Sequence, residues 1–154
     1  MKHQGLLHPE LSSIVAGLGH TQTIVIGDVG LPIPAHVRRI DLAVSAGVPR
    51  LLDVLRAVLS ELIVEGVTVA EETRLFSPDW SAQLDPLLPA PRQEVPHTRF
   101  KELVQDASVV VRTGEVTSYA NVILHCGVNF WEDPYKARDQ QDGAETAGQP
   151  GAAP

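Results

Sequence analysis

A short apolar run bounded by glycines and prolines constrains the fold of this chain more than any other feature. Residues 23–26, Thr-Ile-Val-Ile, are β-branched throughout, which is typical of a strand buried on both faces of a sheet. Two glycines before the run are suited to end a helix in the left-handed conformation. Residues 30–34, Gly-Leu-Pro-Ile-Pro, prevent the following chain from becoming helical. His20 therefore lies at the entrance of a central strand and Asp28 at its exit, roughly 20 Å apart at about 3.3 Å per residue.

Helical and extended segments alternate along the rest of the chain. Apolar residues at helical spacing and prolines at helix starts predict helices over residues 9–18, 49–59, a short stretch from 78, and 97–106. Extended segments, most of them rich in β-branched residues, are predicted over 23–26, 38–44, 63–70, 93–96, 108–112 and 119–126. This alternation predicts an α/β fold, a three-layer α/β/α domain with a mixed, largely parallel central sheet.

The composition of the chain changes after Trp131. Residues 132–154 are rich in Glu, Asp, Gln, Gly, Ala and Pro, and Tyr135 is their only large apolar residue. Such a segment buries too little apolar surface to offset the entropy lost on ordering it. We therefore expect one α/β domain over residues 1–130 and a disordered polar tail over residues 131–154.

Charge and cysteine content restrict the partners and the compartment. The formal net charge of −7 argues against nucleic acid and against anionic membranes, whereas a neutral ligand such as a sugar is compatible with it. The first residues lack the apolar core of a signal peptide, and no apolar run reaches the roughly 18 residues of a membrane helix. Because Cys126 is the only cysteine, no intrachain disulfide forms. We expect a cytoplasmic protein that binds neither nucleic acid nor membrane.

Two candidate site residues flank the central strand. His20 carries an imidazole that titrates near neutrality and can both donate and accept a proton at working pH. A histidine at this position can equally close the preceding helix by bonding a carbonyl. Asp28 can accept two sugar hydroxyls, or it can be a turn aspartate that bonds its own backbone. The sequence leaves both pairs of interpretations open.

Further polar residues lie where other predicted elements begin. His97 follows Pro96, which stiffens its approach, although an ordinary helix-start residue has the same pattern. Tyr119, Ala120 and Asn121 offer a phenol and an amide at a strand start, where turn chemistry is the simpler interpretation of the segment alone. Loops at strand ends are the usual place for ligands in open α/β sheets, so we retain these residues as site candidates.

Other combinations of reactive residues carry little signal. The remaining histidines show no metal-ligand spacing with a second His, Cys or carboxylate, so we predict no metal and no cofactor. Glu71 and Glu72 are adjacent at the end of a predicted strand, where neighbouring side chains point to opposite faces. We therefore interpret this pair as a solvated strand end rather than as a general acid and base.

Taken in order, short segments over residues 1–130 resemble the D-ribose pyranases. The matching segments are Leu11-Ser12-Ser13-Ile14, Leu18-Gly19-His20-Thr21, residues 28–34, residues 39–43, Gly47-Val48-Pro49, Ala70-Glu71-Glu72, residues 96–101, residues 112–115 and residues 119–124. The related L-fucose mutarotases share the Gly-His turn and the Tyr-x-Asn element, but the loop after Asp28 is similar to that of the ribose type. The chain departs from the family in a longer proline-rich stretch at 86–96 and in the tail after Phe130.

The resemblance implies an activity and a set of site residues. Members of the family interconvert the pyranose and furanose forms of D-ribose and use no cofactor. By the match, His20 has the catalytic proton-donor role, and Asp28, His97, Tyr119, Ala120 and Asn121 bind the sugar. The resemblance also implies a homo-oligomer, pentamers paired into a decamer, with each site between adjacent subunits.

Two other functions remain open from the sequence. A ribose-binding accessory protein of a sugar importer, without catalysis, needs a similar pocket but no acid near the ring oxygen. A fucose-type mutarotase shares much of the pattern and differs in its sugar. The presence of His20 favours an enzyme over the accessory protein.

Overall fold

Six strands and five α-helices follow one another in the computed structural model, which describes residues 2–129. The helices are α1 (Pro9–Gly17), α2 (Leu51–Leu59), α3 (Glu71–Phe76), α4 (Pro78–Leu84) and α5 (His97–Val104). The strands are β1 (Thr23–Gly27), β2 (Arg39–Asp41), β3 (Val64–Ala70), β4 (Arg92–Val95), β5 (Val109–Arg112) and β6 (Val122–Cys126), and a 3₁₀ turn covers Asp85–Leu87. The tail predicted to be disordered, 131–154, lies outside the described residues.

All six strands form one sheet in the order β2-β5-β1-β6-β3-β4. The pairs β2–β5, β5–β1 and β3–β4 are parallel, and β6 is antiparallel to both of its neighbours. The connection from β5 to β6 contains no crossover helix, so the chain reverses direction there. The predicted mixed, largely parallel sheet is confirmed. The carboxyl ends of five strands and the amino end of β6 therefore share one edge of the sheet.

Alternation along the central strands divides the core into two layers. Ile24 and Ile26 of β1 pack in the larger cluster, which α1, α2 and α4 cover. Val25 points to the other face, where α5 and the loop over 31–37 cover it. All three side chains are fully buried, as expected for a strand in the middle of a sheet. Helices therefore cover both faces, and the three-layer α/β/α prediction is confirmed.

Three local predictions about the strands and the turn before β1 are wrong. The strand predicted over 119–126 begins only at Val122, because Tyr119 adopts a positive φ of 59° and its carbonyl accepts the N–H of Asn121 in a turn. The predicted strand at 38–44 shortens to β2, which pairs only with β5. The glycines before β1 are not left-handed; the positive φ, 68°, belongs to Thr21.

None of the helices in residues 2–129 has the length and apolar surface that crossing a bilayer requires.

A buried carboxylate holds the connection between β5 and β6 in place. Glu115 is only 6% exposed, and its carboxylate accepts hydrogen bonds from the backbone N–H groups of Val116 and Thr117 and from the Thr117 hydroxyl. A longer bond of 3.4 Å comes from the N–H of Leu51 at the start of α2. Burial by itself raises the pKa of Glu115, but these hydrogen bonds outweigh burial and lower it.

Glu115→Gln is therefore expected to lower the free energy of unfolding by about 1–3 kcal/mol at neutral pH, because a neutral amide replaces a carboxylate that accepts four hydrogen bonds. The carboxylate's contribution is present above its unfolded pKa and is lost as the pH falls through the lowered folded pKa. Denaturant titrations at pH 7 and in the acidic range measure this. The difference between wild type and variant should shrink with acidification, and an unchanged difference would contradict the assignment.

Candidate functional site

Four of the candidate side chains lie together at the shared edge of the sheet. Asp28 directly follows β1, His97 begins α5 after β4, and Tyr119 and Asn121 precede β6. The antiparallel direction of β6 places Asn121 beside Asp28, because Ile26 pairs with Val122 in the register of these strands. The topology thus gathers residues that are up to about ninety positions apart in the chain.

Asp28 and Asn121 form a reciprocal pair. The N–H of Asp28 donates to Asn121 Oδ1 at 2.8 Å, which directs the Asn121 amide nitrogen to Asp28 Oδ2 at 2.7 Å. Asp28 Oδ1 accepts the N–H of Gly30 at 2.8 Å, so the turn interpretation of this aspartate also applies. Asn121 is 1% exposed, whereas Asp28 is partly exposed and retains lone pairs for a ligand.

Gly27 makes this pair possible. A Cβ at that position would lie 2.6 Å from Leu31 Cδ2 and 3.1 Å from Asn121 Oδ1. Any larger residue would therefore displace Leu31 and crowd the Asn121 side chain that holds Asp28.

Asn121→Asp is expected to destabilise the fold by about 1–3 kcal/mol, because the donor facing Asp28 becomes a second acceptor. Thermal unfolding measures the effect. A variant with wild-type stability would show that the amide donor is not needed. Asn129→Asp, at an exposed position, is the matched control for adding one negative charge.

His97 is held at the first position of α5. Its backbone N–H donates to Glu72 Oε2 at 2.8 Å, so a carboxylate from α3 satisfies one of the free N–H groups of this helix. Its ring packs edge-on against Tyr119 at 5.0 Å between centroids and stacks on Phe100 at 6.1 Å. The glutamate predicted to be a solvated strand end is thus a helical residue that supports the site; the β-branched run of β3 concealed the start of α3.

The environment of His97 favours its neutral form. Burial, together with the positive charge of Lys101, lowers the pKa of His97, against the opposing effects of Glu72 and Asp28. The buried Nδ1 atom has no hydrogen-bond partner among residues 2–129. A neutral imidazole offers one donor and one acceptor, which suits a hydroxylated ligand.

Two neighbouring residues before β6 differ in exposure: Tyr119 is partly exposed and Ala120 is buried. Tyr119 is half-buried; its ring lies 5.4 Å from that of Phe76, and its carbonyl accepts the hydroxyl of Thr73 at 2.7 Å. A positive φ is unusual for a tyrosine and is typical of functional sites, where surrounding contacts maintain the strained backbone. Ala120 is fully buried in the core, so neither its side chain nor its backbone is exposed to a ligand in the single chain.

His20 lies at the opposite edge of the sheet. It precedes β1, and the five residues of that strand place it at least about 16 Å from the Asp28 end. Its side chain is 50% exposed, and its Nε2 atom is 3.0 Å from Glu65 Oε2 rather than at a helix carbonyl. One chain therefore does not bring His20 to the other four residues.

Sequence reasoning missed the residues that support the candidates. Tyr119 is held by Thr73 and His97 by Glu72, through hydrogen bonds between segments that are distant in the sequence. Gly27 leaves room beside Asn121, and Glu65 contacts His20. The two glutamates at 71–72 could be noticed in the sequence. The role of Glu72 could not, because it depends on helix α3, whose start the β-branched pattern of β3 obscures. Within residues 2–129, no group of three or more His, Cys, Asp or Glu side chains is arranged to hold a metal ion.

The fold, with polar side chains gathered at one edge of the sheet, is typical of α/β proteins that bind a small-molecule ligand at the carboxyl ends of their strands. Comparison with known proteins gives the family: residues 1–129 match the model of the RbsD / FucU transport protein family, and the chain belongs to it. The resemblance to the D-ribose pyranases is confirmed.

The relatives include proteins of the ribose type. The chain is 50% identical over 130 residues to a D-ribose pyranase of Exiguobacterium sibiricum, covering 84% of this chain and 100% of the relative. It is 50% identical over 131 residues to a D-ribose pyranase of Geobacillus thermodenitrificans, covering 84% and 99%. The structure of Bacillus subtilis RbsD complexed with D-ribose matches with 41% identity, a TM-score of 0.81 and coverage of 84% and 100%. A fucose mutarotase of Streptococcus pneumoniae in complex with L-fucose shares the fold at 20% identity, with a TM-score of 0.64 and coverage of 84% and 99%.

Proposed function

We propose that this protein is a D-ribose pyranase, which interconverts the pyranose and furanose forms of ribose. The observation that carries the proposal is the convergence of Asp28, His97, Tyr119 and Asn121 at one sheet edge of a chain about half identical to D-ribose pyranases. A carboxylate, a neutral imidazole, a phenol and a backbone turn supply donors and acceptors for several sugar hydroxyls. The homologous RbsD structure in complex with D-ribose supports the same ligand.

In the proposed reaction, His20 is the general acid and base. It removes the proton of the anomeric hydroxyl, the C1–ring oxygen bond breaks, and the ring oxygen receives a proton. Addition of the C4 hydroxyl to the resulting aldehyde closes the furanose by the reverse proton transfers. A positioned acid/base group typically contributes about 10²–10⁴-fold, and these steps require neither metal nor cofactor.

The proposal includes a homo-oligomer in which an adjacent subunit supplies His20. Within one chain, the length of β1 separates His20 from Asp28, His97, Tyr119 and Asn121, which we call the sugar-binding cluster. Apolar side chains beside that cluster are exposed in the single chain: Val29 is 39% exposed, Phe76 65% and Val116 60%. A second copy of this chain that covers them would remove apolar surface from water. It would also bring the sheet edge that carries its His20 next to the cluster. Pentamers paired into a decamer, as in the family resemblance, are the assembly we propose.

We also place the reaction in the cytoplasm. The thiol of Cys126 is buried and unpaired, and burial first, with the charge of Glu65 second, raises its pKa to about 11. Such a thiol is inert as a nucleophile, so Cys126 is a structural residue at the end of β6. A lone thiol suits a reducing compartment.

Saturation-transfer NMR of D-ribose tests the proposal directly. We expect catalytic amounts of the protein to accelerate exchange between the pyranose and furanose signals, with a weaker or no effect on L-fucose. Line broadening of ribose without faster exchange would indicate the non-catalytic binding protein. Faster exchange of L-fucose than of ribose would indicate a fucose-type mutarotase.

A further inference from the structure

Glu65 is the hydrogen-bonding partner of His20 and lies near the start of β3, at the edge of the sheet opposite the sugar-binding cluster. Glu65 Oε2 lies 3.0 Å from His20 Nε2, although the two residues are 45 positions apart. A carboxylate only accepts hydrogen bonds, so the imidazole that bonds to it must carry a proton on Nε2. In the neutral ring with this proton, the other nitrogen of His20, Nδ1, has a free lone pair.

A β-bulge presents Glu65 to His20. In the β3–β6 ladder, Val64 pairs with Cys126 and Gly66 pairs with His125, so one step along β6 corresponds to two along β3. Glu65 is the extra residue, and a bulge redirects the side chain that it inserts. The end of β6 also anchors this region, because the N–H of Gly127 donates to Ile63 at 2.9 Å.

His20, the other member of the pair with Glu65, is held by a strained turn. The N–H of Thr21 donates to the Cys126 carbonyl at 3.0 Å, and the N–H of Gln22 donates to Gly19 at 3.2 Å. The side chain of Gln22 accepts the N–H of Gly19 at 2.6 Å, which closes the turn a second time. Thr21 is β-branched and has a φ of 68°, a conformation that persists only where neighbours impose it. Both partners of the pair are thus anchored to the end of β6.

We propose that Glu65 is the positioning residue of His20: it holds the imidazole in the Nε2-protonated form, so that Nδ1 faces the reacting sugar. This inference rests on the proposed function for its catalytic consequence, but not for the state of the imidazole. When Nδ1 takes the proton of the anomeric hydroxyl, the resulting imidazolium donates to the Glu65 carboxylate, and Nδ1 returns the proton to the ring oxygen. No proton leaves the pair during a turnover, and Glu65 itself stays ionised.

A comparison of two variants tests this role. Glu65→Leu removes the acceptor, and Glu65→Gln keeps an oxygen that can accept the Nε2 proton. Glu10→Leu is the matched control, because the Glu10–Arg38 pair has the same 3.0 Å separation and Glu10 is 47% exposed against 45% for Glu65. The two readouts are the nitrogen chemical shifts of His20 in histidine-labelled protein and the kcat and KM of ribose exchange.

We expect Glu65→Leu to populate both neutral forms of the His20 ring and to lower kcat about 10- to 100-fold, the loss typically seen when the carboxylate that orients a metal-bound histidine is removed. KM should stay unchanged, because in this proposal Glu65 acts only through His20. Glu65→Gln should retain the Nε2-protonated form and recover most of kcat, and Glu10→Leu should match wild type in every measurement.

The outcomes separate this inference from the proposed function. A Glu65→Leu variant with wild-type kcat, or with an unchanged His20 ring state, overturns the positioning role. So does a Glu65→Gln variant as impaired as Glu65→Leu. A wild-type protein that does not accelerate ribose exchange overturns the proposed function, and the nitrogen shifts then still decide whether Glu65 sets the form of His20.

Discussion

His20→Ala is expected to abolish the accelerated exchange between ribose forms, with a loss of about 10²–10⁴-fold in rate. Among the described residues, His20 is the only histidine whose ring pairs with a carboxylate, and it lies just before the amino end of β1. Its side chain is half exposed, so little packing is lost and the melting temperature should stay within a few degrees of wild type. Saturation-transfer NMR of ribose gives the rate, and thermal unfolding gives the stability.

His36→Ala is the matched control for this experiment. His36 is also an exposed histidine with a 3.0 Å hydrogen bond, in this case to the carbonyl of Gln105. His36 lies outside both the proposed sugar-binding cluster and the pair formed by His20 and Glu65, so its removal should leave exchange unchanged. A well-folded His20→Ala variant with full exchange would exclude His20 as the acid/base group.

The central strand and the layers around it were predictable from local pattern. The β-branched run at 23–26 is buried on both faces, and the alternation of helices and strands gives the three layers. Asp28 was placed correctly at the exit of this strand, because a run bounded by glycine and proline has well-defined ends. Periodicity carries this information because it reports which faces of an element are buried.

The rest of the site depends on contacts between distant segments. Nothing near Asn121 in the sequence indicates that its amide faces Asp28, since the pairing arises from the antiparallel insertion of β6 between β1 and β3. The start of α3 was missed because the β-branched pattern of β3 runs directly into Glu71. The positive φ of Tyr119 is contrary to local preference and persists through tertiary contacts such as the Thr73 hydrogen bond.

Assembly decides whether the two separated parts of the site meet. His20 and the cluster at Asp28 lie at opposite ends of β1, so a complete site in the proposed oligomer needs the amino edge of one chain and the carboxyl edge of its neighbour. Such a contact is heterologous, because it joins two different surfaces. Subunits that repeat it around a rotation axis form a closed ring. Each chain then contributes to two sites, one through each edge.

Mixing two inactive variants should therefore restore activity. His20→Ala lacks the proposed acid/base group, and Tyr119→Ala lacks the phenol and the ring that packs on His97. When equal amounts are unfolded and refolded together, about a quarter of the interfaces receive both intact residues by random assembly across such a heterologous contact. Ribose exchange should recover to about that fraction of wild type, whereas each variant refolded alone stays inactive. Mass spectrometry of isotopically distinct chains verifies that hybrids form, and hybrids without activity would place the whole site within one chain.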